Sequence, residues 1–371
     1  MAHTTVATES IDALLDRLAR FTPVEWPVIS LYLNLQADQH GKDNFASFVK
    51  KELLAPMRDH APKSPGQVSI DSDARRIQSF LAAEVPPSAN GLALFACSGL
   101  DGFFEAVLLA VPIAHHRLTV GHEPHLYPLE RALDDSPRHA VVLADSHAAR
   151  IFVFGYGRTI ASETVEGPRI RRSSGGGWSQ TRYQRHVETL QAGHARELAN
   201  ALDRAVREAT VEHIVLAGDD VNIPLVRREL SNELAAKVID TIKIEAHASE
   251  HEIQEAAAAA LRRYDEAADR AIVAKTIDDY RAGGLAAAGL FETTTALTNG
   301  QVRELYLTAM ETFTGGGVTL SADELVRRAR QTSVRVRFIE DVTLLAGVEG
   351  IAASLRFLVD APGRRQEGAT T

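Results

Sequence analysis

The chain has 371 residues, a formal net charge of −9 and a single cysteine. That is too long for one ordinary core, too acidic to coat nucleic acid indiscriminately, and incompatible with an internal disulfide. Hydrophobic residues at 45% and charged residues at 24% are the balance of a globular protein. No apolar run approaches the roughly 20 residues that span a bilayer. The N-terminal MAHTTVATESIDALLDRLARF lacks the apolar stretch of a signal peptide, so a cytoplasmic location is expected.

Residues 1–132 are expected to form a mixed α/β domain. Ile11, Leu14, Leu15 and Leu18 recur at helical spacing, VISLYLNL (28–35) is a strand, and NFASFVKKELLAPM and DARRIQSFLAAE are amphipathic helices. GLALFAC and FFEAVLLAV are two paired strands joined by SGLDG. Cys97 lies in the first of them, where a buried, inert thiol is expected. The prolines of HHRLTVGHEPHLYPL suggest an extended connector. His115, His116, His122 and His125 lie within it, but no cysteine or carboxylate pair completes a ligand set, so no metal is expected.

Residues 133–267 form a second expected domain. The strands AVVLAD, ARIFVFG and TIASETV follow one another as an antiparallel meander. The segment RIRRSSGGGWSQTRYQRH (169–186) leads into a helix of about 28 residues with an apolar stripe of Val187, Leu190, Leu198, Leu202 and Val206. Gly193 is a weak point in that helix. Strand HIVLAG, helix IPLVRRELSNEL, strand VIDTIKIEA and helix EHEIQEAAAAALRRY complete an α/β layer with a mixed sheet. Asp219 and Asp220, just after a strand, are expected to cap the next helix, and Glu340–Asp341 has the same expectation.

Residues 268–371 read as a small α/β/α sandwich. Its expected elements are helices AADRAIVAKTIDDYRAGG, AAAGLFETTTALTNG and SADELVRRARQ, strands VRELYLT and VRVRFIE, a last strand in VTLLAGVEGIAASLRFLV, and a loop at Gly315–Gly317. The tail PGRRQEGATT is expected to be disordered.

No phosphate-binding GxxxxGK[ST], GxSxG elbow or HExxH occurs. The segment 169–186 is what folding leaves unexplained. Residues 166–196 contain six arginines (169, 171, 172, 182, 185 and 196) against Glu166 and Glu188. Glycines let a backbone lie close to another surface, arginine grips phosphate with a planar fork, and tryptophan stacks on a base. This chemistry suggests RNA recognition; the bland alternative is a surface loop whose arginines keep it soluble.

The pieces HAVVLADSHAARIFVF, GGGWSQTRYQRH and HIVLAGDD, in that order, resemble the middle domain of the class-one peptide chain release factors of archaea and eukaryotes. RAGGLAAAGLFETTTALTNGQVRELYL and LLAGVEGIAASLRF are similar to the family's third domain. The likeness covers most of residues 133–360 and is greatest to the divergent bacterial branch of that superfamily, to which VISLYLNL is also similar. It implies a middle domain of RNase H-like topology with a mixed sheet, a pelota-type α/β/α third domain, and a loop that enters the peptidyl transferase centre of the ribosome. There a glutamine orders water, or stabilises developing charge, as the ester of peptidyl-tRNA is hydrolysed.

Carried onto this chain, the resemblance makes Gln180 the candidate catalytic residue. Arg171, Arg172, Gly175, Gly176, Gly177, Trp178, Ser179, Arg182, Tyr183, Arg185 and His186 become the RNA-binding set. Matching Arg182-Tyr183 to the family's Arg-Phe puts Trp178 at the family's Gln position, with Gln180 two residues later. The stop-codon-reading NIKS and Tyr-x-Cys-x-x-x-Phe motifs are absent from residues 1–132. The expected partners are ribosomal RNA and tRNA, with a translational GTPase as a further candidate; no cofactor and no membrane is expected. The alternatives are a non-catalytic hibernation or rescue factor and a protein-interaction scaffold.

Overall fold

The computed structural model describes residues 5–6, 11–22, 25–36, 45–53, 61, 63–145, 148–155, 158–167 and 179–358. It has several mixed α/β sheets and divides into two compact units, Met1–Asp134 with Ala268–Thr371, and Asp135–Ala267.

The first unit begins with β1 (Thr5–Val6), α1 (Ile11–Ala19), β2 (Val28–Asn34), α2 (Ala46–Glu52), α3 (Pro65–Ala83), β3 (Gly91–Cys97), β4 (Phe103–Leu109), β5 (Arg117–Gly121) and α4 (Tyr127–Asp134). Its five-stranded sheet has the order β1-β4-β3-β2-β5. Alternate residues of β2 and β3, among them Ile29, Leu31, Leu92 and Leu94, meet Val49 of α2 and Ile70, Ile77 and Phe80 of α3. Two elements differ from the sequence expectation. Helix α3 starts eight residues earlier than DARRIQSFLAAE, because Ser64 caps it by accepting from the Gln67 N–H and Pro65 suits its first turn. The expected His/Pro connector instead supplies β5, which pairs antiparallel with β2, and then α4.

The chain returns to this unit through β11 (Ala286–Ala288), α9 (Leu290–Thr298), β12 (Val302–Thr308), β13 (Thr312–Gly315), β14 (Val318–Ser321), α10 (Ala322–Gln331), β15 (Arg335–Ile339), a 3-10 turn (Ala346–Val348) and β16 (Ile351–Leu355). The sheet order is β11-β16-β12-β15, with β12 and β15 parallel. Helix α9 lies against β16 and β11, while Val273 and Ile277 pack with Tyr306 and Ala352. The alanines expected to open a helix form β11; Gly289, at a φ of 81°, separates them from α9. The glycine loop is the two-residue turn of the β13–β14 hairpin, with Gly316 and Gly317 at positive φ. The tail at 362–371 lies outside the described residues.

Buried charge joins these segments. Arg330 of α10 donates to Glu130 of α4 at 2.7 Å, Asp16 at 3.3 Å and Asp12 at 3.4 Å. Asp323 accepts from the backbone N–H groups of Leu126 and Tyr127 at the start of α4 and from Arg327 at 2.8 Å. Burial pushes the Asp323 carboxyl up, but His125, Arg327 and the Tyr127 N–H more than reverse this and hold it at about 2.

The second unit contains β6 (His139–Ala144), β7 (Ala148–Gly155), β8 (Arg158–Glu166), α5 (Ser179–Glu208), β9 (His213–Gly218), α6 (Asn222–Glu229), α7 (Asn232–Lys237), β10 (Val238–Lys243) and the first half of α8 (Glu250–Arg281). The sheet order β10-β9-β6-β7-β8, with β6–β7–β8 antiparallel and β6, β9 and β10 parallel, is RNase H-like. Leu198, Leu202 and Val206 of α5, with Ile223 and Val226 of α6, cover one face through Val142, Ile151, Ile214 and Leu216. Ile253, Ala257 and Ala260 of α8 cover the other through Val141, Phe152 and Val215. The helices expected over EHEIQEAAAAALRRY and AADRAIVAKTIDDYR are one, because no glycine or proline interrupts them. The single helix expected over IPLVRRELSNEL is two, because Ser231 caps α7 afresh.

His139, 7% exposed, starts the central strand, stacks on Phe154 at 5.3 Å, and places Nδ1 2.9 Å from the Pro137 carbonyl. Burial lowers its pKa, so the ring is held neutral. Its contribution to stability is therefore present above about pH 6.5 and lost as pH falls through the lowered folded value. Urea unfolding of this unit should weaken by up to about 1.4 kcal/mol per pH unit below pH 6.5 from this residue alone. His139→Phe should flatten that slope; an unchanged slope would rule out His139 as its source.

Candidate RNA interface

Strand β8 is the edge of the second unit's sheet and is largely exposed. Arg171, Arg172, Gly175, Gly176, Gly177 and Trp178 lie outside the described residues. The chain is described again from Ser179, where α5 begins. Gln180, Arg182, Tyr183, Arg185 and His186 thus occupy its first two turns, and the three- and four-residue steps from Arg182 place positions 185 and 186 on its side of the helix. The first backbone N–H groups of a helix have no partner within it and carry its positive dipole end, which favours an anion. Arg185 is exposed and makes no ion pair with any described residue.

The rest of α5 is firmly seated. Leu198, Leu202 and Val206 are buried, Arg196 pairs with Glu229 of α6 at 3.2 Å, and Arg204 pairs with Glu163 of β8 at 3.1 Å. The helix runs through Gly193 without interruption. A packed stem thus carries the first turns of α5, which hold Arg182 and Arg185.

The other candidates of the sequence have structural roles. Asp219 accepts from the Val221 N–H at 3.0 Å and the Asn222 N–H at 2.7 Å, capping α6, while Asp220 pairs with Lys243 at 2.7 Å. Asp341 accepts from the Thr343 N–H at 3.1 Å. His125 pairs with Asp323 at 3.1 Å and His116 Nδ1 accepts from the Asn34 N–H at 3.2 Å. Cys97 is buried.

Sequence inspection missed His194 of α5, which lines a small hollow with Asp145, Gln191 and Asn222. Neither of its ring nitrogens finds a hydrogen-bond partner among the described residues, and burial lowers its pKa against the pull of Glu197 and Asp145. Its position on a helix with an apolar stripe gave no signal of this.

Residues 124–262 match the sequence model of bacterial archaeo-eukaryotic release factor family 10. Over that stretch the chain is similar to the bacterial branch of the archaeo-eukaryotic release factor superfamily. The matched stretch contains the whole RNase H-like sheet and the head of α5. No curated protein matches the chain.

Among solved structures, the chain is similar to an archaeal Pelota described in a model of ribosome-bound Pelota and ABCE1 (15% identity, 95% of this chain and 96% of that one, TM-score 0.43). It is also similar to Dom34 of S. cerevisiae, described as a translation termination-like factor interacting with Hbs1 (11%, 73% and 80%, 0.43). A third similar structure is the archaeal translation termination factor aRF1 (14%, 93% and 96%, 0.25). Among the described residues, no helix is long and apolar enough to cross a membrane.

Proposed function

We propose that the chain is a ribosome-associated translation factor that brings residues 169–186 to the peptidyl transferase centre without reading a stop codon. The observation that carries this reading is the head of α5, which holds Arg182 and Arg185, on a packed stem within the matched stretch. Arg171, Arg172, Arg182 and Arg185 would hold RNA phosphates, Trp178 would stack on a nucleotide, and Gly175–Gly177 would allow close approach. Ser179, Tyr183 and His186 complete the contact.

Gln180 is proposed to orient the water that attacks the ester carbonyl of peptidyl-tRNA, since an amide presents a donor and an acceptor together without adding charge. On this reading residues 1–132, 133–267 and 268–371 act as three domains of a cytoplasmic protein, with tRNA and ribosomal RNA as ligands and a translational GTPase as a candidate partner.

One observation favours a second reading. Trp178 stands at the family's glutamine position, two residues before Gln180, which suits a hibernation or rescue factor that occupies the ribosome without hydrolysis.

Peptide release from ribosomes carrying peptidyl-tRNA separates the two. Gln180→Ala should slow release by roughly 10²–10³-fold while ribosome binding persists, the scale of losing one transition-state hydrogen-bond donor. Undiminished release by the variant removes Gln180 from its role; ribosome binding with no release by the unaltered chain favours the second reading.

A further inference from the structure

The face that the sheet of β11, β16, β12 and β15 turns towards α8 changes character along its strands. Tyr306, Ala288 and Ala352 pack with Val273 in the core. Two residues earlier on β12 and two later on β16, the same face holds Glu304 opposite Ser354. Such inward positions are normally apolar, so polar groups there are the informative exception. Tyr306 is buried and donates to Glu304 at 3.0 Å, with the Ser354 hydroxyl 3.3 Å away. Burial raises the Tyr306 pKa, so the phenol keeps its proton. Thr276 of α8 is buried beside these groups.

Together they floor a pocket of about 410 Å³ with apolar walls at Ile272, Leu285 and Leu355. Pockets that take small organic ligands run from roughly 300 to 1,000 Å³.

A backbone irregularity brings a cation to this pocket. β12 pairs Val302 with Leu355 and Glu304 with Ser354, which makes Arg303 an extra residue, a β-bulge. Regular alternation would turn Arg303 to the face opposite Glu304. Instead both residues line the pocket, and re-aiming a side chain is what bulges do beside functional sites. Arg303 is exposed and makes no ion pair with any described residue. Lys275 also lines the pocket but pairs with Asp279 at 2.5 Å, and Arg335 stands 4.0 Å from Glu304. The unmatched charge is therefore that of Arg303.

We propose that this pocket binds a free ribonucleoside monophosphate. Arg303 would grip the phosphate with its planar fork. The Glu304 carboxylate and the Ser354 and Thr276 hydroxyls would take the ribose hydroxyls, and the base would lie against Ile272, Leu285 and Leu355. A carboxylate holds the ribose 2′-hydroxyl in dinucleotide-binding folds too. An amino acid could pair its two charges with Arg303 and Glu304, but it would leave much of the volume empty. The pocket lies outside residues 169–186, and its occupant does not depend on the function proposed for them.

Calorimetric titration of the full chain with AMP, GMP, CMP and UMP is the test. Their 2′-deoxy counterparts, leucine, inorganic phosphate and a short 5′-phosphorylated RNA serve as comparisons. At least one ribonucleotide should bind one-to-one, more tightly than any of these. Arg303→Gln should weaken it by about tenfold or more, the scale of losing a charge-assisted hydrogen bond. The melting temperature should not fall, because that side chain is exposed. Glu304→Gln, which can still accept from Tyr306, should narrow the margin between the ribonucleotide and its deoxy counterpart.

No binding by any ribonucleotide, an affinity unchanged in Arg303→Gln, or a margin left intact by Glu304→Gln overturns the proposal. Tighter binding of leucine, phosphate or the RNA end overturns it as well.

Discussion

Reversing charge at the head of α5, with Arg182→Glu and Arg185→Glu together, is expected to cost roughly 100-fold or more in ribosome affinity at moderate salt. Two charge-assisted hydrogen bonds of about 1.5–3 kcal/mol each would disappear, and two like charges would face the RNA. The salt dependence should fall by about 1 in slope for each phosphate no longer held. The fold should tolerate the change: Arg185 is exposed, and the helix is held by Leu198, Leu202 and Val206 several turns away. An affinity within threefold of the unaltered chain, in about 0.1 M salt where charges are screened beyond roughly 10 Å, would show that the head of α5 does not touch the RNA.

The second large effect is on stability. Arg330→Met should destabilise the first unit by about 3–5 kcal/mol, because it strands Glu130, 5% exposed, without its cation. Burial already pushes the Glu130 carboxyl up against the opposing pull of Arg330. A raised folded pKa means that the folded state is favoured when the group is protonated, so the variant should recover stability as pH falls through the range where Glu130 takes up its proton. Arg330→Met combined with Glu130→Leu should restore most of the stability, since an apolar pair carries no uncompensated charge. Urea unfolding of the two variants between pH 7.5 and 4.5 measures this; a destabilisation below about 1 kcal/mol at neutral pH would place the network on the surface in energetic terms.

Much of the second unit was legible from its sequence. Strands β6, β7 and β9 are apolar runs bounded by turn residues, and the start of α5 follows a glycine cluster, so local pattern alone locates them. The elements read differently elsewhere depend on distant partners. β5 is short and half-buried, lies in a segment punctuated by proline and histidine, and is a strand because β2 pairs with it from nearly ninety positions away. Ala286–Ala288 would favour a helix by propensity, but β16 claims them and Gly289 turns the chain. Arg330 finds Asp12, Asp16 and Glu130 across 318, 314 and 200 positions, which no local pattern encodes.

The candidate site divides the same way. Its arginines and glycines stand out by charge and composition, and the helix register from Arg182 to Arg185 could be counted. How the rest of α5 seats on the sheet through Leu198, Leu202 and Val206, and so which of its positions face outward, depends on packing against strands that lie far away in sequence.

Sedimentation of the unaltered chain with purified bacterial ribosomes through a sucrose cushion, across a salt series, tests the central claim most directly. Co-pelleting at low salt that declines steeply as salt rises, and that the Arg182→Glu/Arg185→Glu variant lacks, is the predicted result. A chain that stays in the supernatant at every salt concentration, or pellets independently of salt and of those two arginines, would contradict it.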